Sequence, residues 1–408
     1  MSPPAEGFSG GSGLPDPPSD VGLLAPVWVG TAAESLTSDR EVTEAMVRFE
    51  SALLHTLAEH GMAPRLAFGP PDIDVRALAE RAVDPGNPTM PLVDLLRHPA
   101  AGGIQAADTP GDPDRIHHGA TSQDVVDSAL MLVSTSVADR IAAELVDLAR
   151  SLADLVAEHR STPCVARTLT QQAMPTTLGF RVACWLDGVL DARESVRACL
   201  PLPLSLGGPV GTSAAYGSHG PAVAGTLARE LGLAAPALSW HTNRAPVLRL
   251  AACLTEVGNA CGRIAADLLL MSQTEIGEAD DGSSGRSSAM AHKANPTRSV
   301  LVASAARQLP GLLATVASSG ASGSERAPGA WHAEWQPLRT MLRLAGAAVE
   351  RTTRTAEQMS FDTGAMRRNL GTLLTALDHD DAWAAEQTAH VGVWIDRVLA
   401  RHGAVCPS

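Results

Sequence analysis

Residues 121–160 read TSQDVVDSALMLVSTSVADRIAAELVDLARSLADLVAEHR and contain neither glycine nor proline. Apolar residues recur at intervals of three or four along this segment: Val126, Leu130, Val133, Val137, Ile141, Leu145, Leu148, Leu152 and Leu155. This spacing predicts one apolar stripe on a single helix. Some 35 residues would span about 50 Å. A helix that long needs partners of similar length to cover its stripe, so the segment predicts a bundle of long helices.

Other segments supply partners for this helix. Helical patterns run from about residue 176 to 199 and from about residue 245 to 274. An earlier helix is predicted to begin at Ser38 or Asp39 and to end at Gly61. Strand-like alternation is scarce, and aromatic residues, which favour sheets, make up 3% of the chain. The fold class is therefore predicted to be all-α, built on an extended bundle.

The chain is predicted to have four parts. Residues 1–24 are rich in Ser, Pro, Gly and Asp, which predicts a disordered tail. Residues 25–115 form an N-terminal helical domain. The central bundle covers residues 116–345 and contains a polar loop near residues 280–296. Residues 346–408 form a short C-terminal helical domain.

The composition excludes several classes of protein. The 408 residues are 45% hydrophobic and 18% charged, which excludes a disordered or collagen-like chain. The net charge of -13 argues against a nucleic-acid partner. We find no apolar stretch of the ~18 to 20 residues that would cross a bilayer. The start of the chain lacks the pattern of a signal peptide, so a soluble cytoplasmic protein is expected.

No motif for a metal or a cofactor is present. The six cysteines show no CxxC spacing and are expected to be buried free thiols. His117 and His118 are adjacent and lack the spacing of a metal site. The glycine-rich stretch at residues 207–211 lacks the βαβ context of a dinucleotide-binding loop. We therefore expect neither a metal nor a nucleotide cofactor.

The lysine count draws attention to one position. Of the 31 Lys and Arg residues, Lys293 is the only lysine. It lies in GRSSAMAHKANP, residues 285–296, a segment rich in glycine and serine. An ammonium a few residues from a serine hydroxyl could stabilise an alkoxide or a developing enolate without a metal. The alternative interpretation is a flexible Ser/Gly linker whose lysine faces solvent.

Two further polar clusters precede predicted helices. In HHGATSQD, residues 117–124, the hydroxyls of Thr121 and Ser122 and the free N–H groups of a helix start could bind a carboxylate. The alternative is a simple helix cap. In RTLTQQAMPTT, residues 167–177, Arg167 and Gln171 could bind carboxylate oxygens, or could only cap a helix at the surface.

Together these segments resemble the fumarase/aspartase superfamily. Its signatures are T-S-x-D, G-R-T-H-x-Q-x-A and the loop G-S-S-x-M-P-x-K-x-N-P, and the ordered match covers about 300 residues. Within the superfamily the chain is most similar to bacterial 3-carboxy-cis,cis-muconate cycloisomerases. That closer similarity rests on four runs: GNP at residues 86–88, HHGATSQD at 117–124, WHTNR at 240–244 and GAWHAEW at 329–335.

The resemblance implies roles for individual residues. Ser287 would abstract the proton, and Lys293 and Asn295 would bind the carboxylate that becomes an aci-carboxylate. His117 is a further catalytic candidate, because which histidine donates a proton is left open. The substrate-binding residues would be Asn87, Thr121, Ser122, Gln123, Arg167, Gln171, His241, Arg244, Met290 and Asn295. The resemblance also implies a homotetramer with shared active sites, a small polycarboxylate substrate and no cofactor.

Three positions depart from the superfamily pattern. Leu169 stands where many members carry the histidine of G-R-T-H, which excludes a mechanism that uses that histidine. Arg286 replaces a glycine of the loop, and Ala291 replaces its proline. The chain is also short after Glu350, which implies a reduced C-terminal domain.

The expected reaction is removal of a proton α to a carboxylate with breakage or formation of a C–O or C–N bond at the β carbon. Lactone formation from carboxymuconate is the leading interpretation. A fumarate-releasing elimination from a substituted succinate is the alternative, from nitrosuccinate or, less in keeping with Leu169, from adenylosuccinate. A non-catalytic bundle protein is the alternative from another class.

We predict that Ser287→Ala lowers kcat by ~10²-fold or more without unfolding the protein, the usual scale for a positioned acid or base. Lys293→Arg should be nearly as damaging, because a guanidinium does not replace a compact ammonium. Turnover of carboxymuconate and of β-substituted succinates, followed by absorbance of the unsaturated product, measures both effects. Near wild-type turnover by Ser287→Ala would show that the loop is only a lid.

Overall fold

A computed structural model describes residues 21–63, 73–97, 115–283, 285–286, 290, 293–321 and 323–406. Most of the predicted tail and the predicted base Ser287 lie outside these residues. The described part is mainly helical, which confirms the predicted all-α class.

Short helices and one longer helix form the N-terminal part: α1 (Ala32–Leu36), α2 (Asp39–Glu59), α3 (Val75–Arg81) and α4 (Thr89–Arg97). The hydroxyl of Ser38 accepts a hydrogen bond from the N–H of Glu41 at 3.2 Å, so Ser38 caps α2 as predicted. The apolar face of α2, with Phe49, Leu53 and Leu57 fully buried, packs against the long helix that follows.

The long helices agree closely with their predicted extents. The chain continues through α5 (Ser122–Glu158), the strands β1 (Pro163–Thr168) and β2 (Gln171–Thr177), then α6 (Leu178–Cys199), α7 (Gly220–Leu231) and α8 (Ala245–Met271). Helix α5 has 37 residues and is therefore about 55 Å long. The antiparallel β1–β2 hairpin was not predicted, and non-glycine Leu169 and Thr170 at its tip have left-handed backbone conformations.

The rest of the chain completes the bundle. It comprises β3 (Ala279–Asp280), β4 (Gly285–Arg286), β5 (Ala294–Asn295), α9 (Thr297–Ser319), α10 (Ala330–Gln358), β6 (Ser360–Phe361), α11 (Thr363–Leu377), α12 (Asp381–Thr388) and α13 (Val391–Val405). Helix α10 runs without interruption through residue 346, where a domain boundary was predicted. The C-terminal helices therefore begin after residue 358.

Five helices pack along one another to form the core: α5, α6, α8, α9 and α10. Where α8 meets α9, a Cβ atom at Gly258 would lie only 2.1 Å from Leu309 Cδ1, so glycine allows the two helices to approach closely. The six cysteines are free thiols, as predicted, and four of them are buried.

The bundle has two ends that matter for function. The starts of α5, α8 and α10 meet at one end, which we call the His241 end. The C-terminal ends of α8 and α10, the start of α9 and the β1–β2 hairpin meet at the other, which we call the Lys293 end. The bridge between Asn243 and Ala321 places the C-terminal end of α9 at the His241 end. Because α9 has 23 residues, the two ends lie about 34 Å apart.

The prediction that no apolar stretch is long enough to cross a bilayer is wrong. Among the described residues, α9 is long and apolar enough by length and composition to cross a membrane. One such helix is weak support for a membrane segment, since α9 packs on α8 and α10. Most of its apolar window is nevertheless not buried within the chain, so α9 has a face that one copy leaves uncovered.

Candidate active site

Asp124 organises the His241 end. Its carboxylate is fully buried near the start of α5 and accepts hydrogen bonds from the backbone N–H groups of Thr121 at 3.0 Å and of Gly207 and Gly208 at 2.8 Å each. The hydroxyl of Ser205 donates a further bond at 3.1 Å. This number of donors stabilises a buried negative charge, because each replaces a bond to water.

His241 is the partner of Asp124. Its ring is buried, and Nε2 lies 2.6 Å from Asp124 Oδ1. The backbone carbonyl of His241 accepts a bond from Gln123 Nε2 at 2.9 Å. Predicted residues Thr121, Gln123 and His241 are therefore brought together, while Asp124, the residue that joins them, was not among the predicted site residues.

Arg244 lies at the centre of a buried cluster of ion pairs. Its guanidinium contacts Asp127 through Nη1 at 2.7 Å and Nη2 at 3.0 Å. It contacts Glu334 through Nε at 3.0 Å and Nη2 at 2.7 Å, and Trp240 O accepts the remaining N–H at 3.4 Å. All of the guanidinium donors are thus used within the chain. Through these contacts Arg244 joins three helices, and its expected role as a clamp for a substrate carboxylate stays a prediction.

Burial also affects the acids that surround Arg244. The pKa of Glu334 is raised above its ordinary value because burial disfavours the charged carboxylate, although Arg244 acts in the opposite direction. Asp127 accepts a further bond from Trp331 Nε1 at 2.9 Å. Two buried carboxylates therefore share one guanidinium, and the cluster is fully hydrogen-bonded.

A second arginine at this end was missed by sequence reasoning. Arg326 donates from Nε to Gln123 Oε1 at 3.1 Å and from Nη2 to Thr121 Oγ1 at 3.1 Å. It lies in the loop between α9 and α10 and is exposed, beside the residues of the predicted anion site. In the sequence, only its position between α9 and the GAWHAEW run could have indicated that Arg326 lies at this end.

The other predicted residues of the His241 end line its edge. His117 has a left-handed backbone, and its Nδ1 lies 2.7 Å from the buried carboxylate of Glu50 on α2. Asn87 bonds within its own turn, donating to Pro85 O and accepting from the Thr89 N–H. Ser122 O accepts a long bond from Thr89 Oγ1 at 3.4 Å, which holds this turn beside the start of α5.

The remaining predicted residues lie at the Lys293 end. Arg167 makes a two-pronged contact with the buried Glu278, at 2.9 and 2.8 Å, and its expected role in binding substrate stays a prediction. Gln171 is exposed on the hairpin beside Leu169, whose side chain is 95% exposed. Lys293 is exposed, as is Met290, and Asn295 is half-buried.

Asp281 anchors the loop that carries Lys293. Its carboxylate accepts bonds from the N–H groups of Ser283 and Ser299, each at 2.9 Å. Burial would raise the pKa of Asp281, but these bonds and those from the two serine hydroxyls hold it below its ordinary value. A charged Asp281 therefore ties the stem of the loop to the start of α9.

Comparison with known proteins gives a consistent set of relatives. A lyase family model matches residues 103–311. The chain is 39% identical over 370 residues to nitrosuccinate lyase of Streptomyces davaonensis, covering 86% of this chain and 77% of that protein. It is 37% identical over 361 residues to 3-carboxy-cis,cis-muconate cycloisomerase of Pseudomonas aeruginosa, covering 86% and 78%.

The fold comparison agrees. The crystal structure of 3-carboxy-cis,cis-muconate lactonizing enzyme from Pseudomonas putida superposes with a TM-score of 0.81 at 29% identity, covering 94% of this chain and 99% of that one.

The contacts of Arg244 generate a prediction about stability. Arg244→Lys keeps the charge but replaces five N–H donors by three, so buried oxygens of Asp127 and Glu334 lose partners. We expect a loss of about 1–3 kcal/mol in the free energy of unfolding, measured by urea denaturation. Arg76→Lys, at an exposed pair with Glu80, is the control and should change stability by less than ~0.5 kcal/mol. A raised KM with unchanged stability would restore the substrate-clamp interpretation.

Proposed function

The chain belongs to the fumarase/aspartase superfamily of lyases, and from that premise we propose that its reaction expels a weakly basic leaving group. The predicted class of enzyme, a superfamily lyase or cycloisomerase that acts on a polycarboxylate, is confirmed by the family match and the cycloisomerase relatives.

In the elimination direction, Ser287 Oγ takes the proton from the carbon next to a carboxylate. The electron pair of the broken C–H bond forms the double bond. The bond between the β carbon and the leaving group breaks, and its electron pair departs with the leaving group. Lys293 and Asn295 stabilise the negative charge on the carboxylate oxygens during this step. Lactone formation follows the same reaction steps in reverse, with a substrate carboxylate as the nucleophile.

The exposed Lys293 is the observation that carries this assignment. It is the only ammonium side chain of the protein, it directly precedes β5, and it makes no ion pair among the described residues. An exposed cation without an ionic partner in the described part of the chain is available for a substrate anion. Arg167, by contrast, is already neutralised by Glu278.

The hairpin supports the choice of leaving group. Leu169 lies at the hairpin tip where many superfamily members carry a histidine, and a leucine cannot protonate a departing amine or alkoxide. A leaving group that is stable as an anion needs no such help. Carboxylate, which leaves in the opening of a lactone, and nitrite both meet this requirement.

Carboxymuconate lactonisation is therefore our leading proposal, by analogy with the cycloisomerases of similar fold. Elimination of nitrite from nitrosuccinate is the second candidate, which the 39% identity to a nitrosuccinate lyase favours. Elimination of an amine from adenylosuccinate agrees least with Leu169, because a departing amine must be protonated.

We further infer that the active site is shared between copies in a homotetramer. Within one chain, Thr121 and His241 lie at one end of the bundle and Lys293 and Asn295 at the other, about 34 Å away along α9. A small polycarboxylate cannot contact both groups at once in a single copy. The uncovered face of α9 is suited to packing against the same helix of other copies.

We predict that the purified protein converts 3-carboxy-cis,cis-muconate or nitrosuccinate, followed by absorbance and by nitrite release. Succinates with an amine leaving group, aspartate and adenylosuccinate, should react at least ~10²-fold more slowly, since no positioned acid assists them. Rapid amine release would overturn the proposed class of leaving group.

A mixing experiment tests the shared site. His241→Ala and Lys293→Ala should each be inactive alone, but mixed oligomers should regain activity at about one quarter of their sites if each site draws its two halves from different copies. Lys293→Ala mixed with Asn295→Ala is the control and should stay inactive, because both changes affect the same end. No recovery in verified mixed oligomers would contradict shared sites.

A further inference from the structure

Two thiols meet where the end of α6 packs against α8. Cys199 is the last residue of α6, and Cys253 lies in the first half of α8. The S–H of Cys253 donates a hydrogen bond to the sulfur of Cys199. The sulfur of Cys199 also lies 3.9 Å from the backbone oxygen of Arg249, which is one helical turn before Cys253. The packing of the two helices therefore brings together two cysteines that are far apart in the sequence.

The two thiols differ in their access to solvent. Cys199 is half-buried, whereas Cys253 is only 5% exposed. A small reagent dissolved in water therefore reaches the sulfur of Cys199 directly. Cys253 is shielded from such a reagent but is in contact with Cys199, so it can react with whatever forms there.

The hydrogen bond also makes Cys199 the stronger nucleophile of the pair. It lowers the pKa of Cys199 to about 7, although burial acts against this shift. The positive charge of Arg249 lowers the same pKa, and the negative charge of Glu256 raises it. A large fraction of Cys199 is therefore thiolate near neutral pH, and the thiolate is the reactive form of a cysteine. The pKa of Cys253 is raised in turn, because its proton is held in this bond.

The four cysteines outside this pair lack these properties. Burial raises the pKa of each of them. Cys184 is the closest match to Cys199, since it also lies on α6 and is half-buried. The groups that act on the pKa of Cys184 include no second thiol. Partial exposure alone therefore does not produce a reactive thiolate in this protein, and the contact between Cys199 and Cys253 does.

The position of Cys199 allows the pair to form a covalent bond. An S–S bond brings two sulfurs closer together than a hydrogen bond between thiols does. Because Cys199 ends α6 and Leu200 after it is extended, this residue can shift without breaking hydrogen bonds in the middle of the helix. Cys253 is held on both sides by the turns of α8.

We propose that Cys199 and Cys253 form a modification site for hydroperoxides, at which they close to a reversible disulfide that ties α6 to α8 and stabilises the bundle. The thiolate of Cys199 attacks one oxygen of hydrogen peroxide and the O–O bond breaks, which leaves a sulfenic acid and a hydroxide that takes up a proton from water. The sulfur of Cys253 then attacks the sulfenic sulfur. The S–O bond breaks, and the hydroxide leaves as water with the proton of Cys253. Two thiols are oxidised by two electrons, and the peroxide is reduced to two waters.

Treatment of the full-length protein with one equivalent of hydrogen peroxide, followed by mass spectrometry, tests the pair. The mass should fall by about 2 Da through loss of two hydrogens, and dithiothreitol should restore it. Peptide mapping should show one linked pair, Cys199 with Cys253. Cys184→Ser is the matched control and should form the same disulfide at the wild-type rate.

Two substitutions of Cys253 separate its two roles. Cys253→Ser keeps a hydroxyl donor beside Cys199 but cannot form a disulfide, so peroxide should convert Cys199 to a sulfenic acid that dimedone captures. Cys253→Ala removes the donor as well, so iodoacetamide should alkylate Cys199 at pH 7 at least ~3-fold more slowly than in Cys253→Ser. In Cys199→Ser, peroxide should leave Cys253 unmodified.

Thermal unfolding measures the effect on stability. The oxidised wild type should melt at least ~2 °C above the reduced protein, because a disulfide that closes a loop of about 50 residues constrains the unfolded chain. Peroxide should not raise the Tm of Cys253→Ser. An unchanged or lower Tm in verified disulfide-bonded protein would overturn the stabilising role.

Other results would overturn the site itself. They are free thiols at Cys199 and Cys253 after peroxide treatment, a disulfide between other cysteines, or sulfinic acid at Cys199 of the wild type without a disulfide. Equal alkylation rates of Cys199 in Cys253→Ser and Cys253→Ala would overturn the activation of Cys199 by its neighbour. None of these measurements uses turnover, so their outcome is independent of the proposed lyase function.

Discussion

The guanidinium of Arg244 between Asp127 and Glu334 is the contact on which the His241 end depends. It joins the starts of α8, α5 and α10, and so fixes how far each helix extends along the bundle. Removing one partner of a buried ion pair commonly costs 3–5 kcal/mol, so this register is strongly enforced. His241 precedes Arg244 by three residues and Asp124 precedes Asp127 by three. The ion pair that aligns the helices therefore also brings His241 onto Asp124.

The two ends of the bundle differ in a way that suits a division of roles. At the His241 end, buried acids and bases hold one another, and Arg326 lies exposed beside Thr121. At the Lys293 end, Asp281 fixes the stem of a loop while Lys293 stays exposed. If copies meet as we propose, a rigid binding surface from one copy meets the proton-transfer loop of another. Such an arrangement orients the substrate before the proton is transferred.

The sequence allowed the fold to be predicted more fully than the site. Helix α5 was predictable because its apolar residues repeat over ten turns, and Lys293 stood out because no other lysine is present. The roles of Arg167 and Arg244 were not predictable locally, since their carboxylate partners lie 111 and 90 residues away. The β1–β2 hairpin was missed because Leu169 and Thr170 occupy left-handed positions where glycine or asparagine is the usual signal. Arg326 was missed because its contacts form only after α9 returns the chain to the start of α5.

The glycine-rich stretch at residues 207–211 shows why composition alone misleads about phosphate loops. Its backbone N–H groups do meet an anion, but the anion is the internal carboxylate of Asp124. A Cβ atom at Gly208 would lie 2.7 Å from Gly119 O, so the loop approaches the start of α5 only because side chains are absent. Such close approach supplies the donors that a buried Asp124 requires.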